Sequence, residues 1–518
     1  MKTKKGASIR ATVASVLILV LTLALAGIVY AAAVTIDTFD NGSEDLLVYP
    51  TSTSTPTPVL TATAVYDGNG ILGSERDSEL YYKSGSGSVA LKVGSDTYGT
   101  TFLRFDQQSG TSGTSRITWD GDDNSITLNP TGLGGIDLTG GGTNDGILLS
   151  IYFNDLKLGV TFKIYTNGSN WSQYQLTLAG GLSSTPGRMD IFLPFNSFTT
   201  GGGSGATFSN VGAVVMELNG QVQAGADTLI DFIEASNVRE YGDLPSSYSV
   251  ISAYHIPQGL RLGKNVDAET TYQASTGANG DDTNPSGVDD EDGVELRNLP
   301  WTTTGYIRVY RYGCPDSGCY INGWIDWNND GDFADTVGGA SEHVVNNQYA
   351  EGDGYQTYTF STPSGYSNGY YYARFRICPT STGCDDPGES PVTNGEVEDY
   401  RWPLGPTAVI INSFTARPAS GGIRLTWQTA DETDLVGFDL LRSLAEGGPY
   451  LPLNGEAIQA QHPGQPEGAT YSWLDGEVWG GLTYYYRLDI HDKDGQTTPF
   501  GPVSATAWYR LYLPLVLR

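Results

Sequence analysis

Apolar and polar side chains alternate in short runs along most of this chain, and Gly, Asn or Asp closes off each run. Val89-Ala90-Leu91-Lys92-Val93, Val160-Thr161-Phe162-Lys163-Ile164-Tyr165 and Gln175-Leu176-Thr177-Leu178 are typical. A period of two puts one face of a strand into a core and the other into water, whereas a helix needs a period of 3.6. Glycine supplies the turns: it makes up 67 of 518 residues, well above an ordinary usage of about 7%. With 32 Tyr and only 3 Met, the pattern predicts an all-β chain and argues against a helical bundle or a doubly wound enzyme. At about 150 residues per domain, the expectation is three tandem β-sandwich domains.

Lys2, Lys4, Lys5 and Arg10 precede an apolar run from Val13 to Val29, and Ala31-Ala32-Ala33 follows. This is the pattern of a secretory signal peptide, residues 1–33, cleaved near Ala33. The run is short of the about 20 residues of a full membrane span, and an uncleaved anchor is the alternative. Later in the chain no segment is apolar for long enough to cross a bilayer.

Lys and Arg number 28 against 58 Asp and Glu, a net charge of −30. Phosphate binding needs basic surface, so nucleic acid is excluded as a partner. By segment the balance is 4 − 0 = +4 for 1–33, 9 − 22 = −13 for 34–240, 8 − 24 = −16 for 241–403 and 7 − 12 = −5 for 404–518. The acids are densest in the middle.

Residues 34–240 read as an antiparallel sandwich. Pro50 to Pro58 alternates Pro with Thr and Ser, an extended solvated insert, and Asn41, Asn167 and Asn170 open glycosylation triplets. Val211 to Leu218, a Gly/Ala loop and Leu229-Ile230-Asp231-Phe232-Ile233 form a hairpin that resembles the last strands of jelly-roll domains of the galactose-binding and carbohydrate-binding-module type. For a sugar platform, residue type alone nominates Trp119, Trp171, Tyr152 and Tyr174, with core or ordinary surface as the competing reading.

In residues 241–403, Asp326-Trp327-Asn328-Asn329-Asp330-Gly331-Asp332 fits D-x-[DN]-x-[DN]-G, whose alternating oxygens fold around a hard cation. The twelfth position is Val337 rather than a bidentate Glu, and Gly323-Trp324-Ile325 before the loop reads as a strand. The expectation is therefore a β-framed calcium loop. Asp326, Asn328, Asp330 and Asp335 would bind through side chains and Asp332 through its carbonyl. A plain Asn-Asp-Gly turn is the alternative. Six carboxylates between Asp281 and Asp292, among them Asp289, Asp290 and Asp292, would repel one another unless solvated, protonated or neutralised by ions. Arg374 and Arg376, alternating on one strand, are expected to pair with Glu396 and Glu398 on a neighbour.

Cys314, Cys319, Cys378 and Cys384 are the four cysteines. In an exported chain they read as local 314–319 and 378–384 disulfides, with a four-thiolate zinc site as the alternative.

Val288-Asp289-Asp290-Glu291-Asp292-Gly293-Val294, Gly323-Trp324-Ile325-Asp326-Trp327-Asn328-Asn329-Asp330-Gly331-Asp332-Phe333, Tyr372-Ala373-Arg374-Phe375-Arg376 and Gly395-Glu396-Val397-Glu398-Asp399-Tyr400 come in an order that resembles the GEVED domain. The resemblance implies an extracellular β-rich module of secreted bacterial proteins, found beside adhesion and anchoring domains and not itself a catalyst.

Residues 404–507 read as an immunoglobulin-like or fibronectin type III sandwich, with Trp427 in the core and a Tyr484-Tyr485-Tyr486 strand; Gly437-Phe438-Asp439 and Asp492-Lys493-Asp494-Gly495 strengthen the resemblance to fibronectin type III modules. The apolar tail 508–518 resembles the Leu-Pro-Leu-Val termini of secreted bacterial proteins, a sorting tag or else a docked edge strand.

The chain has no H-E-x-x-H, G-x-S-x-G or P-loop. Taken together, the sequence predicts a secreted or cell-surface protein, stabilised by calcium and non-catalytic, that binds a polysaccharide or a surface protein. The alternative is a carbohydrate-active protein whose first domain binds or cleaves polysaccharide.

Overall fold

A computed structural model describes residues 33–508 apart from 51–58, 96–100, 183–186, 251–252, 281–289, 365, 368, 389, 406–410, 431, 433–434, 446–447, 466 and 494–496. The signal-peptide, Pro-rich insert and tail expectations, and Asp289, lie outside the described residues. Among those described, the chain is all-β, with short 3-10 turns at Leu72–Ser74 and Phe195–Ser197 and no α-helix. Among the described residues no helix is long and apolar enough to cross a membrane.

The first unit is a sandwich of two antiparallel sheets. One runs in the order Met189–Pro194, Gly146–Asn154, Thr228–Ser236, Thr101–Gln107, Val89–Ser95, Glu44–Val48, with Val34–Asp37 also on Thr228–Ser236. The other runs Thr199–Gly202, Trp171–Leu178, Leu158–Tyr165, Ala213–Asn219, Ser112–Trp119, Glu75–Ser84, Thr61–Asp67. Alternation explains the burial: Leu158, Val160, Phe162 and Ile164 enter the core, while Gly159, Thr161, Lys163 and Tyr165 face away. Each buried aliphatic side chain contributes about 1.5–3 kcal/mol. One charged side chain is enclosed as well. Arg76 sits between Asp37, at 2.7 Å, and Glu44, at 2.8 Å, all but removed from solvent.

In the second unit, His343–Ala350, Cys319–Ile325, Gly369–Cys378 and Glu396–Leu404 form one antiparallel sheet. Facing it is a sheet of Arg261–Leu262, Thr304–Tyr312, Val294–Arg297 and Gly354–Ser361, in which both latter strands flank Thr304–Tyr312. The core between them holds Ile307, Val309, Ile321, Ile325, Ala373, Phe375 and Ile377. Residues 257–269 then run along the first sandwich. Val266 enters the first core, Met189 bridges Val266, and the Phe192 amide donates to the Pro257 carbonyl at 2.8 Å. The two units thus share a seam closed by Arg188, which bonds Asp190 at 2.6 Å.

The third unit packs Ile411–Ala419, Gly422–Thr429 and Thr470–Asp475 on a sheet of Leu451–Pro452, Leu435–Ser443, Thr483–Asp492 and Thr497–Thr506, with Ile458–Gln459 on its edge. Trp427 is buried and stacks on Tyr471 at 5.1 Å. The Tyr486 hydroxyl, buried in this core, donates to Asp475 at 2.9 Å.

Candidate functional site

The Gly395-to-Tyr400 motif lies on the edge strand Glu396–Leu404 of the second unit's four-stranded sheet, and its carboxylates are all buried. Asp399 forms a two-pronged ion pair with Arg374, 2.8 Å from Nε and 2.7 Å from Nη2, with both side chains fully buried. Glu396 accepts the Leu262 amide, and Glu398 accepts the Gly293 amide at 2.8 Å and the Tyr400 hydroxyl at 2.9 Å. Glu240, from the entry to the unit, accepts the Val397 amide at 2.9 Å. The motif is therefore a staple: its buried acids hold the backbone amides of two incoming segments, and Glu240 of a third holds an amide of the motif strand, which offsets the desolvation each carboxylate suffers.

The expected partners of Arg374 and Arg376 need correction. The register places Arg374 opposite Asp399 and Arg376 opposite Val397, so the arginines share a face with Asp399 and not with Glu396 and Glu398. Arg376 instead donates to His255 Nε2 at 3.1 Å and to the Asp386 carbonyl at 2.8 Å. His255 is fully buried, and burial with the neighbouring arginine charges pushes it well below its usual range, so it accepts as the neutral ring. Gly395, at φ 148°, is required here, because a Cβ would stand 2.1 Å from the Ile377 carbonyl oxygen.

Asp330, Asp332 and Asp335 come together at the loop after Cys319–Ile325, their oxygens within 4.8 Å of one another and all exposed. Asn328 lies beside them, its side-chain amide 3.0 Å from Asp330 and 2.8 Å from Asp335. The oxygens gathered here include the Asp332 carboxylate. Asp326 departs from the expected set: it is buried, accepts the Tyr248 hydroxyl at 2.5 Å and the Gly331 amide at 3.1 Å, and braces the turn from inside. Sequence reading missed Glu342, which is buried behind the loop and accepts the Trp327 amide at 3.0 Å and the Asp335 amide at 2.9 Å. Burial, with the Asp326 and Asp335 charges nearby, pushes its carboxyl up to about 7.

Asp290 is buried and accepts the Asp267 amide at 3.1 Å, while Asp292 accepts the Lys264 amide at 2.7 Å and the Asn265 side chain at 3.0 Å. These two acids cap a loop with protein donors, and neither falls in a multi-carboxylate cluster among the described residues. The two local disulfides, Cys314–Cys319 and Cys378–Cys384, are both formed.

The nominated sugar platforms scatter. Trp119 is fully buried and donates to Asp37 at 2.9 Å; it is a core residue, which corrects its nomination. Trp171 stacks on Tyr165 at 5.6 Å and is covered on its other side by Gly201 and Gly202, where any Cβ would strike the indole. Tyr174 packs at the core margin against Phe198, and Tyr152 packs at 4.7 Å on Phe102. Separately, Thr35, Thr38, Asp40, Asp231 and Glu234 line an open groove of about 300 Å³ where Val34–Asp37 joins the first sheet. Burial pushes Asp231 there up to about 6.

A further surface lies on the second unit, around Tyr355. Ile307 and Val309 enter the core, Arg308 and Tyr310 stand half-buried on the opposite face of the strand, Tyr306 packs against the core margin, and the Tyr312 ring lies against Gly181 of the first unit. Tyr310 pairs with Tyr355, ring centroids 5.7 Å apart, and the Arg308 guanidinium lies 4.6 Å over the Tyr355 ring. Tyr355 remains 59% exposed. Glu295 and Arg297, joined at 2.6 Å, extend the patch onto the next strand. The alternation Tyr-Ile-Arg-Val-Tyr-Arg-Tyr was the available sequence signal: aromatic and cationic residues stand where a solvated strand face ordinarily carries Thr, Ser or Lys.

Fold and staple define a β-sandwich module braced by buried carboxylates. The family model of the GEVED domain matches residues 320–402, which contain the motif strand and its Arg374 partner. No curated protein matches the chain. Among solved structures, the chain is similar to a family 11 carbohydrate-binding module from Clostridium thermocellum in complex with a β-1,3-1,4-mixed-linked tetrasaccharide, at 12% identity over 39% of this chain and 95% of that one, TM-score 0.19. It is also similar to TmCBM61 in complex with β-1,4-galactotriose, at 7% identity over 37% of this chain and 86% of that one, TM-score 0.16. The FN1-FN3 domains of chicken CNTN1 show 11% identity over 42% of this chain and 65% of that one, TM-score 0.15. The ligands named with these structures are properties of those proteins.

Proposed function

We propose that the chain is a non-catalytic, secreted or surface-held binding protein. Its second unit presents the Arg308–Tyr310–Tyr355 face to an extracellular surface protein, and its third acts as a fibronectin type III-like spacer. The face itself carries this reading. Tyr gives large contact area at low entropic cost, Arg gives directional bonding, and both are enriched among the residues that carry the binding energy of protein interfaces. Calcium held by Asp330, Asp332 and Asp335 would rigidify the neighbouring loop. A second reading, polysaccharide binding by the first unit, is favoured by the groove at Asp40, Asp231 and Glu234, whose carboxylates and threonine hydroxyls suit sugar hydroxyls.

Labelled full chain applied to an array of extracellular proteins and to a glycan array tests both readings. The expected result is capture by protein spots that Tyr310→Ala/Tyr355→Ala weakens by about thirtyfold, the loss of one interface hot spot. Capture only by glycans, abolished by Asp231→Asn/Glu234→Gln, would replace the first reading with the second. Protein capture untouched by the tyrosine changes would refute the assignment of the face.

A further inference from the structure

On the first unit, Glu75, Asp77 and Glu79 alternate on the face of their strand opposite to core-facing Leu80. A solvated face would accommodate them, yet Glu75 and Asp77 are each 1% exposed. The cause is the segment that leaves Ser112–Trp119. It turns at Gly121, at φ 99°, and folds back over the sheet, so that a Cβ on Gly132 would stand 1.8 Å from the Asp120 carbonyl oxygen. Its first residue, Asp120, is buried beside the strand acids, and the Asn129 amide donates to it at 2.5 Å. The oxygens of Glu75, Asp77 and Asp120 lie within 4.8 Å of one another, and Glu75 belongs to a second such group with Asp67 and Asp122.

Asp77 singles this cluster out from an ordinary acidic surface. Among the described residues neither of its carboxylate oxygens meets a hydrogen-bond donor, and the same holds for Asp120 Oδ1. Glu75 is already engaged by the amides of Asn124, at 2.7 Å, and Asp123, at 3.3 Å. The flanking strand offers Thr118 opposite Asp77 and Arg116 opposite Glu79, and Arg116 is paired with Glu79. Burial, with the charges of Asp120, Glu75, Asp123 and Glu79 adding to it, pushes Asp77 up to about 8. Buried carboxylates that face one another are held together either by a shared proton or by a cation.

We infer that Glu75, Asp77 and Asp120 form a calcium site that clamps the 120–132 segment onto the sheet. Calcium sits 2.3–2.6 Å from each oxygen, so two ligands of one ion stand at most about 5 Å apart, the spacing found here. Magnesium demands octahedral geometry at about 2.1 Å and retains its waters, which a closed, irregular carboxylate cluster does not suit. The inference rests on the first unit alone and is independent of the Asp330, Asp332 and Asp335 loop.

Equilibrium dialysis of the chelator-stripped full chain against calcium, with bound metal counted by atomic emission, tests it. The wild type is expected to bind at least one calcium that Asp77→Asn loses and Asp330→Asn keeps. Hydrogen exchange on the wild type supplies a readout that needs no variant: calcium at ten times its Kd should slow the amides of 120–132 by about tenfold relative to chelated protein. An unchanged calcium count in Asp77→Asn, or exchange in 120–132 indifferent to calcium, overturns the site. In the second case, a protection factor of the 120–132 amides, taken against the intrinsic exchange rate at each pH, that rises from pH 8 to pH 6 assigns the cluster to a shared proton.

Discussion

The Arg374–Asp399 pair predicts the largest single-residue effect in the second unit. Arg374→Met retains most of the side-chain volume but removes both bonds to Asp399, and it strands the Val250 and Pro387 carbonyls that Nη1 reaches at 2.6 and 2.9 Å. Asp399 then keeps only the Leu244 amide, at 3.0 Å, as a donor among the described residues, and remains at 0% exposure. Removing one partner of a buried pair leaves an uncompensated charge and costs about 3–5 kcal/mol. Asp399→Leu should cost a similar amount. The double variant Arg374→Met/Asp399→Leu buries no charge and loses mainly the Leu244 amide's acceptor, which puts its cost at about 1–3 kcal/mol. Urea titration followed by hydrogen exchange of the Gly369–Cys378 amides isolates this unit from its neighbours. Single-variant losses below about 1 kcal/mol, or a double variant whose loss equals the sum of the singles, would refute the staple argument.

Two further outcomes follow from the same unit. Burial, together with the Glu398 and Glu240 charges, raises Glu396 well above its usual range, so the folded state binds more protons than the unfolded one. Its contribution is then fully present below the unfolded value of about 4.5 and is lost as pH rises toward the folded value. Glu396→Gln, which keeps an oxygen for the Leu262 amide, should raise the melting temperature at pH 8 and flatten its decline between pH 5 and 8; a steeper decline would contradict the assignment. Cys314→Ser/Cys319→Ser opens a loop with a sequence separation of 5 and should destabilise by about 2 kcal/mol, read as a lower urea midpoint at unchanged slope.

Much of this was legible in one dimension. Period-two alternation marked Leu158–Tyr165 and Thr304–Tyr312 as strands with one buried face, and cysteines five and six residues apart pointed to local bridges. The Asp-Gly-Asp signal found a loop that gathers three carboxylates. Parity was not legible: that Arg374 and Arg376 stand beside an acidic strand followed from sequence, but a register one residue different decides whether Glu398 or Asp399 is opposite. Trp119 shows the same limit, since its residue type suits a sugar platform and a core equally.

The partners of the buried acids were out of reach for a different reason. The motif acids bond amides 105 and 134 residues distant, and Glu240 reaches one 157 residues away. Glu75-x-Asp77-x-Glu79 reads as a solvated strand face until the segment after Trp119 folds over it. Sequence by itself determined where strands run and which of their faces prefer a core, because side-chain direction alternates locally along the backbone. Only the tertiary structure decided which carboxylates lose their water and what replaces it, because desolvation and hydrogen-bond partnership depend on segments that are brought together when the sheets close.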